Sequence, residues 1–205
     1  MYHVTKALID TAAIQHNYLA IRDRIRQTSE GAAVICVLKA DGYGHGALTC
    51  AKIYHALGAR HFAVSNLDEA LEIREAVPDS MLLILGYTDP AHAEVLRKHQ
   101  ITQTVFSLDY AKALSQHLKG ALNIHLKVDT GMNRLGFRAN EQGAAQAVQA
   151  AALPWLKVDG LYTHFARADE ADRAATDEQF ARYLAFSSEL AAAGVKPRMR
   201  HVCNS

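Results

Sequence analysis

Cysteine is scarce, charge of either sign is unclustered, and long apolar runs are missing from this 205-residue chain. Cys36, Cys50 and Cys203 are odd in number and widely spaced, and Cys36 falls inside an apolar stretch, so a reducing cytoplasm fits better than a disulfide framework. The net charge of +1, with no block of like charges, offers nothing for nucleic acid or an anionic membrane to grip. No apolar run approaches the length of a membrane span. Asp10, Arg22, Asp23 and Arg24 interrupt the region where a secretory signal needs an apolar core. There is no C-x-x-C, H-E-x-x-H or G-x-S-x-G, and His201-Val-Cys203 pairs two metal ligands without others nearby, so no metal is expected.

What remains is a chain that is 50% hydrophobic, enough to bury one real core. From Ala33 onward, apolar segments alternate with amphipathic ones. The pattern predicts strands over 33–38, 61–64, 81–86, 101–106, 121–128, 156–162 and 198–203. Helix starts lie between them. Asn66 with Glu69 forms a capping box before Leu67, Ala70, Leu71 and Ile73. Ser107 caps the segment carrying Leu108, Ala111, Leu114 and Leu118. Thr176 with Gln179 is expected to open the helix of Phe180, Tyr183, Leu184 and Leu190, which Gly194 closes. Ahead of these, 2–9 reads as a strand, and Asp10 or Thr11 caps a helix with Ile14, Tyr18, Ile21 and Ile25 at helical spacing.

Repeated βα units imply a parallel sheet, either open and doubly wound or closed as a barrel. Lys39, Leu85, Asp129, His164 and Asn204 all fall at strand carboxyl ends, and a barrel collects its site from many such ends. The expected fold class is therefore α/β, a (β/α)₈ TIM-type barrel. About seven strands are counted where closure needs eight and typically about 250 residues. The expectation is an incomplete barrel, the N-terminal part of something longer, with unpaired parallel edges that favour aggregation.

The most informative feature is Lys39, where the run 33–38 meets Gly42, Gly44 and Gly46. The run is β-branched, free of charge and read as buried on both faces. A lysine there places a primary amine at the mouth of a packed core, where partial desolvation favours the neutral nucleophile. Glycines let the backbone turn tightly and approach a ligand. Taken alone, a lysine at a strand end is more often a solvated cap. The three glycines also resemble a dinucleotide loop with Asp68 and Glu69 as ribose partners, but their spacing is not G-x-G-x-x-G.

Four blocks decide between these readings: Lys39-Ala-Asp-Gly-Tyr43-Gly-His-Gly46, His125-Leu-Lys127-Val-Asp129-Thr-Gly-Met-Asn-Arg134-Leu-Gly136, Gly160-Leu-Tyr-Thr-His164-Phe-Ala-Arg and His201-Val-Cys-Asn204-Ser205. In order and spacing they resemble the alanine racemases, across most of the chain. The resemblance implies pyridoxal 5′-phosphate (PLP) as cofactor, alanine as substrate and D-alanine for cell-wall peptidoglycan as product. It implies that Lys39 carries the cofactor and acts as a base on one face of the substrate. Tyr43 and Ser205 would hold the phosphate, and Leu85, His164 and Asn204 would contact the cofactor. Arg134 would meet the substrate carboxylate. Lys127, a buried lysine that is costly unless paired or neutral, would be carbamylated and hold that arginine.

The family's second base is a tyrosine from the C-terminal domain of a partner subunit, which implies a homodimer. No segment here matches it, so poor activity of this chain alone is expected. By the same resemblance, 11–205 is the PLP-binding barrel, and 1–10 contributes a strand to a further, C-terminal β domain. Two alternatives stand beside this reading: a PLP-binding barrel without turnover, and a racemase for serine or another small amino acid. His201 is assigned no role, and His16, His55, His92, His99 and His117 are expected on helical surfaces.

Overall fold

Apolar runs become short parallel strands and the capped segments between them become helices in the computed structural model, which describes residues 7–202. The chain divides into two units, one ending at Gly86 and the other beginning at Tyr87.

The first unit contains α1 (Thr11–Thr28), β1 (Cys36–Val37), the short segment α2 (Lys39–Tyr43), α3 (Ala47–Ala56), β2 (His61–Val64), α4 (Leu67–Arg74) and β3 (Met81–Ile84). β2 pairs in parallel with both β1 and β3. Phe62, Ala63, Val64, Leu82, Leu83 and Ile84 are buried as consecutive residues, the mark of a parallel sheet covered on both faces. β1 departs from the expectation for 33–38. It is shorter, and Val37 is 36% exposed between buried Cys36 and Leu38, so only one face of it joins the core. The predicted strand over 2–9 lies largely outside the described residues, and its described part has no regular structure.

The second unit begins with a 3₁₀ turn (Pro90–His92) and α5 (Ala93–Lys98). It continues through β4 (Thr102–Val105), α6 (Leu108–His117), β5 (Leu122–Asp129), β6 (Phe137–Arg138), α7 (Glu141–Ala151), β7 (Leu156–Tyr162), α8 (Ala174–Ala192) and β8 (Met199–His201). Its parallel order is β4-β5-β7-β8, with β6 on β5. The two-residue β6 is too short to leave a period in the sequence, which is why it was not foreseen.

Three of the four helix starts read from the sequence follow the side chains named as caps. Asp10 accepts from the Ala12 and Ala13 N–H groups, Asn66 from Glu69 N–H, and Ser107 from Tyr110 N–H. Such caps satisfy orphaned donors and stabilise a helix by about 1 kcal/mol each. The box assigned to Thr176 and Gln179 is wrong. α8 starts at Ala174 with no side-chain cap, and both residues are buried inside it.

Candidate active site

In the first unit, Lys39 lies one residue past the end of β1, after Leu38, and opens α2. α2 is left-handed. Ala40 (φ 53°, ψ 52°), Asp41 (φ 52°, ψ 45°) and Gly42 (φ 62°, ψ 37°) are consecutive αL residues, followed by Tyr43 at φ 56° and Gly44 at φ 83°. L-residues resist this conformation by about 1–2 kcal/mol each, so three non-glycine residues carry a few kcal/mol of strain. Backbone bonds from Gly44 N–H to Ala40 O (3.1 Å) and from Gly46 N–H to Asp41 O (2.9 Å) close the turn.

Two carboxylates offset the strain. Asp41 Oδ1 accepts from Ala47 N–H at 2.7 Å, which ties the turn to the start of α3. Glu69 Oε1 accepts from Ala40 N–H at 2.8 Å, and its Oε2 accepts from both the N–H and the hydroxyl of Ser65 at 2.7 Å. Burial alone would raise the Glu69 pKa, but the bonds from Ser65, Ala40 and the Asn66 N–H outweigh it and hold the carboxyl below its ordinary range. The residue read from sequence as half of a capping box therefore also fastens the Lys39 turn. The glycine spacing does not show this, because the bond spans 29 residues.

Lys39 itself is half-buried, with Nζ 5.9 Å from the centroid of the Tyr43 ring. No carboxylate among the described residues forms an ion pair with it. Tyr43 is exposed, and Leu85 sits half-buried just past β3, its N–H bonded to Val64 O.

The second unit places Lys127 inside β5 at 3% exposure. Its Nζ donates to Leu135 O at 2.7 Å and lies 5.7 Å from the Tyr162 ring centroid. Burial pushes the amine down to about 8; Asp129 opposes that and the Arg134 charge adds to it. Arg134 is exposed on the loop that follows Asp129. Asp129 Oδ1 accepts from the N–H groups of Gly131 (3.1 Å) and Asn133 (3.0 Å), folding the loop back on itself. Gly136 ends the loop at φ 134°. A Cβ there would stand 2.5 Å from Asp129 N, so glycine is what lets the loop close on β5.

Behind Lys127 lies a polar layer that the sequence reading left without a role. The Tyr162 hydroxyl bonds Thr104 Oγ1 at 2.9 Å, its ring stacks on His201 at 4.6 Å, and His201 Nε2 meets His125 Nδ1 at 2.9 Å. A Cβ on Gly160 would fall 2.5 Å from the His125 ring. That glycine beside a strand histidine is the sequence signal that was available. His164 is half-buried immediately after β7. Asn204 and Ser205 lie outside the described residues.

An amine at a strand end, on a strained turn held by two carboxylates, fits a group that bonds covalently to lysine. A buried, readily neutralised lysine behind an exposed arginine loop fits an anion-handling partner. Comparison with known proteins agrees. The model of the family described as alanine racemase, N-terminal domain, matches residues 9–205. An alanine racemase of Desulforamulus reducens is 40% identical over 202 residues, covering 97% of this chain and 54% of that protein. Among solved structures, an alanine racemase from Bacillus anthracis with bound L-Ala-P superposes with a TM-score of 0.89 at 31% identity, covering 96% of this chain and 51% of that one. A histidine racemase from Leuconostoc mesenteroides subsp. sake gives 0.81 at 29% identity, over 93% and 50%. The chain thus spans about half the length of the relatives it matches. Its fold class is the one expected, α/β with the TIM-type barrel architecture of these proteins. By sequence and by structure, the chain belongs to the alanine racemase N-terminal domain family.

Proposed function

We propose that this chain is the PLP-binding part of an amino-acid racemase acting on L- and D-alanine. The observation that carries the reading is Lys39, a half-buried amine with no carboxylate partner among the described residues, on a left-handed turn braced by Asp41 and Glu69. Strain of that kind persists where surroundings over-determine it, and it concentrates at functional sites.

PLP, when bound, serves as the electron sink that makes a substrate Cα–H acidic. The chain's residues do the rest. Lys39 would hold the cofactor, and once the substrate amine has taken its place the freed Nζ would take or return the Cα proton on one face. The hydroxyls of Tyr43 and Ser205 would receive the phosphate, with Asn204 beside Ser205, while Leu85 and His164 would contact the cofactor. Arg134 receives the substrate carboxylate, since guanidinium is a fixed fork of donors that stays charged.

Lys127 becomes a carbamate by adding CO₂ and losing a proton, and the resulting anion holds Arg134. An amine with a pKa of about 8 is partly neutral near pH 7.5, as that reaction requires. Racemisation also needs an acid–base group on the opposite face, which none of the four matched blocks supplies. A homodimer, a cytoplasmic setting and a role in supplying D-alanine for peptidoglycan belong to this reading. So do 11–205 as the barrel and 1–10 as a strand for a further domain.

The test is the visible absorbance of the chain with added PLP, before and after borohydride, beside Lys39→Ala. A band fixed to Lys39 and absent from the variant is expected. No band from a sample shown by circular dichroism to be folded overturns the reading. The histidine racemase neighbour favours testing side-chain range directly, so turnover is measured on L-alanine, L-serine and L-histidine.

A further inference from the structure

A polar contact network separate from the proposed site residues centres on Gln179. It is buried in α8 and touches two separate loops. Its Oε1 accepts from Ala166 N–H at 3.0 Å, and its Nε2 donates to Thr130 Oγ1 at 3.2 Å. Thr130 Oγ1 in turn bonds Thr163 Oγ1 at 2.8 Å. Three residues along α8, Arg182 Nη1 donates to Thr130 O at 2.9 Å. Gly131 leaves space for this grip, because a Cβ there would stand 3.0 Å from Arg182 Nη1 and 3.7 Å from Gln179 Cγ.

The chemistry fixes which way the amide faces. A backbone N–H can only donate, so the Gln179 oxygen must face Ala166 and its NH₂ must face Thr130. The Thr130 hydroxyl accepts there, and its own proton remains available for Thr163. Thr130 begins the loop that carries Arg134, while Thr163 precedes His164 and Ala166 follows it. One carboxamide, carrying donor and acceptor at fixed ends, therefore spans both.

We propose that Gln179 is a positioning residue, an amide clamp that couples the loop carrying Arg134 to the loop carrying His164. Its effect on substrate handling rests on the racemase reading above; the clamp itself does not. Gln179→Met preserves length and volume while removing donor and acceptor, and Thr130→Val removes the hydroxyl isosterically.

The first measurement is amide hydrogen exchange on the 205-residue chain, read over 129–134, 163–167 and α8. In Gln179→Met, both loops are expected to exchange about tenfold faster together while α8 stays protected. Acceleration of α8 alone, or no change in the loops, overturns the clamp. The second measurement is a double-mutant cycle on KM in a chain that turns over alanine. Each single variant raises KM about tenfold with smaller change in kcat, and the double variant resembles either single. Independent, multiplying effects overturn the coupling. If the wild-type chain binds no PLP, the racemase reading fails, and the exchange result still decides the clamp.

Discussion

Lys39 and Lys127 meet opposite physical problems. At Lys39 the side chain is half-buried and the strain lies in the backbone beyond it, where Ala40, Asp41 and Tyr43 sit at positive φ. At Lys127 the backbone is a regular strand, and the strain lies in a charge held at 3% exposure with a carbonyl oxygen in place of a carboxylate. The first arrangement aims an amine. The second makes an amine easy to discharge. The function proposed above uses both devices, one lysine to carry a cofactor and the other to carry an anion.

The largest effect that would break this contrast comes from Glu69. Glu69→Ala removes acceptors for Ala40 N–H and for both Ser65 donors, and should cost about 4 kcal/mol in urea unfolding, since bonds to a charged acceptor contribute about 1.5–3 kcal/mol each. A loss below about 1 kcal/mol would mean the left-handed turn does not depend on this brace.

Next in size is the pH response of Lys127. Its folded pKa of about 8 lies below the ordinary 10.5, so between those values the unfolded chain binds more protons and stability rises with pH. The rise should total about 3 kcal/mol for a shift of this size. Because burial pushes the Cys36 thiol up to about 12 and so pulls the other way in the same window, the rise is read as wild type minus Lys127→Met, and a difference flat over that window would show that the amine is already modified or solvated.

The smallest effect sharpens the comparison from the other side. Ala40→Gly should stabilise the chain by about 1 kcal/mol, because glycine accepts φ 53° without the αL penalty. At a right-handed helical position the same change would destabilise. A loss of stability at residue 40 would argue that the turn is right-handed in solution.

Local signals in the sequence were sufficient where the determinant is local. Asn66 and Ser107 announce their helices because a cap bonds three residues ahead, and β2 and β3 announce themselves as uninterrupted or nearly uninterrupted apolar runs. α8 shows the limit of that reading. Thr176 and Gln179 stand three apart like a capping box, yet they share the buried stripe with Tyr183, Phe186 and Leu190, while Phe180 and Leu184 face out at 40% and 47% exposure. A polar residue at core spacing was the clue. Its meaning came from Thr130 and Ala166, which lie on other segments.

Of the candidate site, Lys39, Tyr43, Lys127, Arg134 and His164 were legible as motif positions, and the structure places the first two on one turn and Lys127 behind the Arg134 loop. By itself the sequence determined the order of strands and helices apart from β6, the strand ends that carry lysine and histidine, and the family. Hydrophobic period, caps and contiguous motifs are properties of neighbouring residues. Only the tertiary structure decided the handedness of the turn after Lys39, the depressed amine of Lys127, the His125–His201 pair and the burial of Gln179. Lys127 is depressed by burial within the packed sheet, and the others depend on a partner from a distant part of the chain, by 29 residues for Glu69 and Ala40, by 76 for the two histidines and by 49 for Gln179 and Thr130.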